Sequence, residues 1–290
     1  MLLEISIFDA YASAFEYARP SGNRQNNLLQ YYSHPKWKNI PGTYTDDTEM
    51  SIAIAELLVE KLDWTPKNIA NKFVEVFKRN GQRTGYAARF YEFLCSVNNG
   101  REFLERIKPD SSKSGAAMRA NPIGILETEE QVIDYSKIQA KLTHNTDSGI
   151  SAAVAVSLSS FYFLNDIGPK SELADYLEER IHGVKFGHDL RDKWTQTKVG
   201  EQGIESVHAA VQAIMNSDSM SSLLYNCVEY GGDTDTVAAI AGGAASCSKE
   251  IKQDIPENLI LTLENGPYGR DFLIELDRQL FELRNEILKA

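Results

Sequence analysis

Apolar residues recur along most of this chain at the three- and four-residue spacing of helices that bury one face. The pattern predicts helices at about 48–62, 66–79, 85–97, 128–141, 149–163, 171–182, 203–216, 219–229, 236–248 and 270–288, and the period-two alternation of strands is scarce. TPKNIANKFVEVFKRNG shows one such helix complete: Thr65 as N-cap, Pro66 in the first turn, Ile69, Phe73, Val76 and Phe77 along one face, Gly81 as the stop. Polar, Gly- or Pro-bearing connections fall at 19–27, 108–115 and 182–203. The last is long for a compact domain and reads as a functional lid or an insertion. No repeat, low-complexity tract or linker forces a boundary, so residues 1–290 are expected to form a single all-α domain, a compact multi-helix bundle.

Composition narrows the function classes. At 290 residues and 42% hydrophobic the chain can bury a substantial core. With 41 acidic against 30 basic residues, a net charge of -11 excludes generic nucleic-acid binding through backbone electrostatics. An anionic ligand must then be held by local devices: metal ions, helix N-termini or a few placed arginines. Cys95, Cys227 and Cys247 are few and widely spaced with no CxxC pair, which supports neither a disulfide framework nor a zinc site, so a reducing cytoplasm is the expected setting. Glu4 and Asp9 in the opening residues argue against a signal peptide, and no stretch reads as a membrane span.

Two segments crowd acids and threonines in front of helical patterns: GTYTDDTEMSIAIAELL at 42–58 and GGDTDTVAAIAGGAAS at 231–246. Asp or Thr before a helix is an ordinary cap, but capping needs one side chain, and several carboxylates together repel unless a cation or proton compensates. Thr45, Asp46 and Asp47 offer oxygen ligands of the kind hard divalent cations prefer, and Asp233, Asp235 and Thr236 offer three more, with Thr234 pointing elsewhere. The two segments are therefore expected to meet around divalent metal. The small side chains of VAAIAGGAAS place its helix centrally, as a rigid mount for the acids. DTDTV superficially matches the nucleophile loop of haloacid-dehalogenase-type phosphatases, but no apolar strand precedes it. An EF-hand lacks its central Gly and its final Glu here.

The chain resembles the ADP-ribosylglycohydrolase family through AFEYA, TYTDDTEM, RTGYAARF, SGAAMRANPIG, LTHNTDSGISAAVAV and GGDTDTVAAIAGGAAS, which run in the family's order over about residues 9–270. The resemblance implies an orthogonal all-α bundle with a binuclear magnesium centre, manganese being a substitute. In that pattern Thr45, Asp46 and Asp47 bind one ion, Asp233 and Thr236 the other, and Asp235 bridges. It also implies ADP-ribose or an ADP-ribosylated macromolecule as substrate, with Ser111, Ser114, Gly115 and Met118 on the phosphate- and ribose-contacting loop and His144 near the substrate. Two departures stand out: FDAYASAFE keeps Asp9 and Glu16 but has Phe8 and Ala12 where the family has glycines, and Ser114 replaces an Asn. A side chain at those glycine positions is expected to reshape the pocket.

Cleavage at the anomeric carbon passes through an oxocarbenium-like state, so positioning and electrostatics are expected to supply most of the acceleration. Asp46 or Asp47 is the candidate to accept a proton from water, and Glu16 is the candidate acid or base. Asp9 reads as a brace or cap, and Arg119 as a partner of the acids, of a pyrophosphate or of a structural salt bridge. A lone His such as His144 is, on its own, a hydrogen-bonded structural residue. Phe15 and Tyr86 are expected to stack on adenine or line the pocket, or else to be core. His34, His182, His188 and His208 carry no pattern. The expectation is a monomeric magnesium-dependent hydrolase that needs no membrane. The alternatives are a binding protein of the same fold without turnover, which the altered FDAYASAFE favours, and a metal-dependent phosphohydrolase.

Overall fold

The computed structural model describes residues 1–289 apart from 19, 81–82, 182–189, 191–192 and 195–197. Thirteen α-helices make up most of the described residues: α1 (Leu2–Ala12), α2 (Asp46–Val59), α3 (Pro66–Arg79), α4 (Ala88–Ser96), α5 (Gly100–Arg106), α6 (Glu129–Lys141), α7 (Asp147–Leu164), α8 (Leu173–Arg180), α9 (Gly203–Met215), α10 (Met220–Tyr230), α11 (Thr234–Ala245), α12 (Glu257–Thr262) and α13 (Arg270–Ile287). Short 3-10 turns at Ser13–Phe15, Ser114–Ala116, Asn121–Ile125 and Lys170–Glu172 join them. Among the described residues, strand pairing is limited to isolated bridges. The fold is all-α.

The ten helices expected from periodicity are present, with ends displaced by a few residues. Thr65 does cap α3, its side chain accepting the Asn68 N–H. The Gly81 stop and most of the lid expected at 182–203 lie outside the described residues. Three helices escaped the pattern for physical reasons. α1 is buried on nearly every side, from Leu2 through Ala12, so it has no polar face to generate a period. α5 and α12 run for seven and six residues, less than two full turns.

α11 lies at the centre, every residue from Thr234 to Ala245 buried, packed by α1, α9 and α10. Its glycines permit that approach. A Cβ at Gly242 would sit 2.7 Å from Phe8 Cδ1, and one at Gly243 would sit 2.4 Å from Asn121 Nδ2. Phe8 therefore fills the α1–α11 interface, and neither it nor Ala12 lines the cleft described below, which corrects the expectation that these residues reshape the pocket. A second correction concerns α7. By length and composition it is a helix that could cross a membrane, yet 78% of it is buried in the protein, against α6, α9 and the 121–125 turn.

Candidate active site

The N-terminus of α2 is capped from another helix. Thr45 occupies the N-cap with extended backbone but no capping bond of its own. The Asp9 carboxylate, delivered by α1, accepts the Thr45 N–H at 2.9 Å and the Thr48 N–H at 3.1 Å, and the Thr48 hydroxyl at 2.6 Å. Asp9 is thus the brace expected of it, satisfying orphan donors of the helix start. With the capping done in trans, Asp46 and Asp47 are released from it. Gly85, at φ +106°, closes over them, since a Cβ there would lie 2.0 Å from Asp46 Oδ1.

The start of α11 is built in parallel. Asp233 is its N-cap, its N–H held by Val199 O at 3.1 Å and its carboxylate receiving the Ser206 hydroxyl at 3.2 Å. Thr234 does point elsewhere, donating to Ala12 O at 2.9 Å and so tying α11 to the end of α1. Glu16 follows the 13–15 turn and is positioned by its neighbours: Tyr17 N–H donates to Gly232 O at 2.8 Å, and His34 Nε2 lies 2.9 Å from Glu16 O. His34 Nδ1 accepts two backbone N–H groups, which leaves Nε2 as the donor to Glu16 O. Sequence had given His34 no role, because its partner lies 18 positions away.

The two starts converge. Glu16, Asp233 and Asp235 each present an oxygen within 4.8 Å of the others. Asp47 feels the charges of Asp9 and Asp233 and is hydrogen-bonded by Thr236. Burial, and then neighbouring acids, push Asp46, Asp47 and Asp235 well above the usual carboxylate range. Burial raises Asp233 too, and Asp9 to about 6 against the bonds from Thr48 and Thr45. Glu16 reaches about 9 through burial and the charges of Asp233 and Asp46. Among the described residues no Lys or Arg pairs with any of these six acids, and Asp47 Oδ1 is buried without a hydrogen-bond partner. An all-oxygen donor set with excess negative charge and an orphaned carboxylate oxygen fits hard divalent cations.

Five of these acids, Asp46, Asp47, Asp233, Asp235 and Glu16, form with Thr236 the floor of a cleft of about 910 Å³, and Asp9 lies outside its lining. Ser111, Ser114, Gly115, Met118 and His144 line it as well. Thr45 does not; its hydroxyl lies behind the floor, 2.8 Å from Asp9 Oδ1 and 3.2 Å from Asp47 Oδ2. Phe15 and Tyr86 are also absent from the lining. Phe15 packs in the core beside Tyr11, and Tyr86 donates to Glu49 Oε2 at 2.5 Å while packing edge-on to Phe77. Arg119 lines the cleft yet pairs with no carboxylate: Nε donates to Gln139 Oε1 at 2.7 Å and Nη2 to Thr143 Oγ1 at 2.9 Å. This corrects two of the readings of Arg119, as a partner of the acids and as a structural salt bridge. Phe90 and Phe93 occupy the cleft wall instead of the two aromatics expected there.

The bundle belongs to a known class of fold: a solved structure described as an ADP-ribosylglycohydrolase-related protein complex matches 98% of this chain and 96% of that one, with a TM-score of 0.76 at 20% identity. A profile of the ADP-ribosylglycohydrolase family matches residues 7–287, and the chain belongs to that family. Relatives include an uncharacterised protein of Archaeoglobus fulgidus, 28% identical with 86% of this chain and 83% of the relative covered. Human ADP-ribosylhydrolase ARH3 is 25% identical, covering 82% and 79%. The ADP-ribosyl-[dinitrogen reductase] glycohydrolase of Rhodospirillum rubrum is 24% identical, covering 90% and 88%.

Proposed function

We propose that the protein is a magnesium-dependent hydrolase that cleaves the glycosidic bond between ADP-ribose and an acceptor. The observation that carries this reading is the meeting of two acid–threonine helix starts on one cleft floor with no protein cation among them. The names of the human and Rhodospirillum rubrum relatives, both ADP-ribosyl hydrolases, support the substrate class. Asp46, Asp47, Asp233, Asp235 and Thr236 would hold two ions from the cleft side, with Thr45 contributing from behind the floor, where its hydroxyl sits against Asp9 and Asp47, and with manganese as a substitute. Divalent cations there supply Lewis acidity toward sugar hydroxyls and the attacking water.

The chain's own groups do the rest. The negative floor favours the positive charge that develops at the anomeric carbon. Asp47 or Asp46 accepts the proton of the attacking water. Glu16 lines the cleft beside these acids, where burial and then the charges of Asp233 and Asp46 favour its protonated form, and is placed to protonate the departing acceptor. Phe8 and Ala12, whose presence would favour a binding protein without turnover, sit in the core and lend that reading no support.

The test is a panel of ADP-ribosylated acceptors incubated with and without magnesium, with products identified by mass spectrometry. Free ADP-ribose should appear only with metal, and Asp46→Ala, Asp47→Ala and Asp235→Ala should abolish it. Normal turnover by these variants would overturn the mechanism, and release of inorganic phosphate would indicate a phosphohydrolase.

A further inference from the structure

Beside the acidic floor, the cleft wall carries a buried polar relay that the reaction above does not use. Arg119 is 1% exposed, lies over the Phe73 ring at 4.5 Å, and is surrounded by neutral acceptors. Its Nη2 reaches Gln139 O at 3.3 Å and Thr143 Oγ1 at 2.9 Å. Gln139 is itself fixed, because its Nε2 donates to Ala116 O at 2.9 Å, which directs Oε1 toward Arg119 Nε. Thr143 Oγ1 lies 2.7 Å from His144 Nδ1.

The protons in this relay can be assigned by elimination. A guanidinium only donates, so the Thr143 oxygen accepts from Arg119. Among the described residues the other neighbour of that hydroxyl is His144 Nδ1. If Nδ1 carried the proton, the buried Thr143 hydrogen would have no acceptor, an arrangement that burial disfavours. Thr143 therefore donates to Nδ1, and the imidazole proton sits on Nε2. Nε2 has no partner among the described residues, and its ring edge lies against Gly115, where a Cβ would meet Cε1 at 3.1 Å and Nε2 at 3.4 Å. Burial and then the Arg119 charge hold the His144 pKa at about 3, so the ring is neutral at working pH.

We propose that Arg119 and Thr143 are positioning residues that lock His144 in its Nε2–H tautomer, making it a fixed hydrogen-bond donor on the cleft wall that recognises an acceptor oxygen of the ligand. This excludes His144 as a general base, since its one lone pair is committed to Thr143. Identifying the acceptor as an oxygen of ADP-ribose rests on the function proposed above; the tautomer does not.

Histidine-labelled protein read by long-range proton–nitrogen correlation at pH 7 decides the matter, with the His144 signals assigned by their loss in His144→Gln. The wild type should show Nε2 protonated and Nδ1 bare. Thr143→Val, which keeps the shape and removes the hydroxyl, should mix the tautomers and weaken ADP-ribose binding about ten-fold. Thr143→Ser should restore both, which a general loss of packing would not allow. A wild-type ring protonated on Nδ1 or on both nitrogens, or a Thr143→Val ring unchanged from wild type, would overturn the proposal. Failure of wild-type protein to bind ADP-ribose would sink both the proposed function and the assigned acceptor, while the nitrogen spectrum would still decide the tautomer.

Discussion

Helix α2 carries buried acids at both ends and resolves them in opposite ways. Near its C-terminus Glu56, 7% exposed, is hydrogen-bonded by Arg79 and lies 3.5 Å from Lys72, whose ammonium also reaches Glu60 at 2.8 Å. At its N-terminus Asp46 and Asp47, also buried, face Asp9, Glu49 and Asp233, and among the described residues no cation pairs with them. Among the described residues, cations pair with the acid near the C-terminus of α2 and with none of the acids that line the cleft. A surplus of acids confined to a cavity attracts positive charge, whereas the paired acid a few turns away is architecture.

The contrast is broken most sharply by activity. Asp235→Ala should lower hydrolysis of an ADP-ribosylated protein by about a hundred-fold or more. It should leave the metal-free melting temperature unchanged or higher, because a repelling charge is gone. A variant that unfolds instead would mean the floor acids are structural after all.

At the other end of the helix the expectation reverses. Lys72→Met removes a buried partner of Glu56 and should cost about 3 kcal/mol of stability in urea unfolding, with turnover per folded molecule unchanged. Loss of turnover in the folded fraction would show that the two ends are not independent.

A further expectation concerns the pH dependence of the metal-free protein. Asp9 at about 6 and Glu16 at about 9 lie above their ordinary values of 3.8 and 4.5, so the native state keeps protons the unfolded chain has released. Stability must then fall as pH rises from about 4 through 9. Scanning calorimetry of chelator-treated protein should show that decline, and excess magnesium should flatten it, because a bound cation favours the ionised carboxylates.

How much of this was legible in the sequence follows from where each signal resides. The two helix starts could be read because their surplus acids and threonines are contiguous, and the central place of α11 because small side chains are a local signature. Asp9 was recognisable as a brace, but its target, the Thr45 and Thr48 N–H groups, became visible only with the α1–α2 packing. The Arg119–Thr143–His144 relay and the His34 support of Glu16 were hidden because each depends on which ring nitrogen or hydroxyl meets a distant partner. Tyr86 misled because an aromatic near a motif reads the same whether its hydroxyl is committed to Glu49 or its ring is free to stack. α1 escaped notice since total burial erases the very periodicity that betrays a helix.

The central claim, that divalent cations complete the acidic floor, is tested most directly by anomalous diffraction from manganese-soaked crystals. The account predicts two peaks on the cleft floor between the N-termini of α2 and α11, within coordinating distance of Asp46, Asp47, Asp233 and Asp235. An ordered floor with no peak there would contradict it.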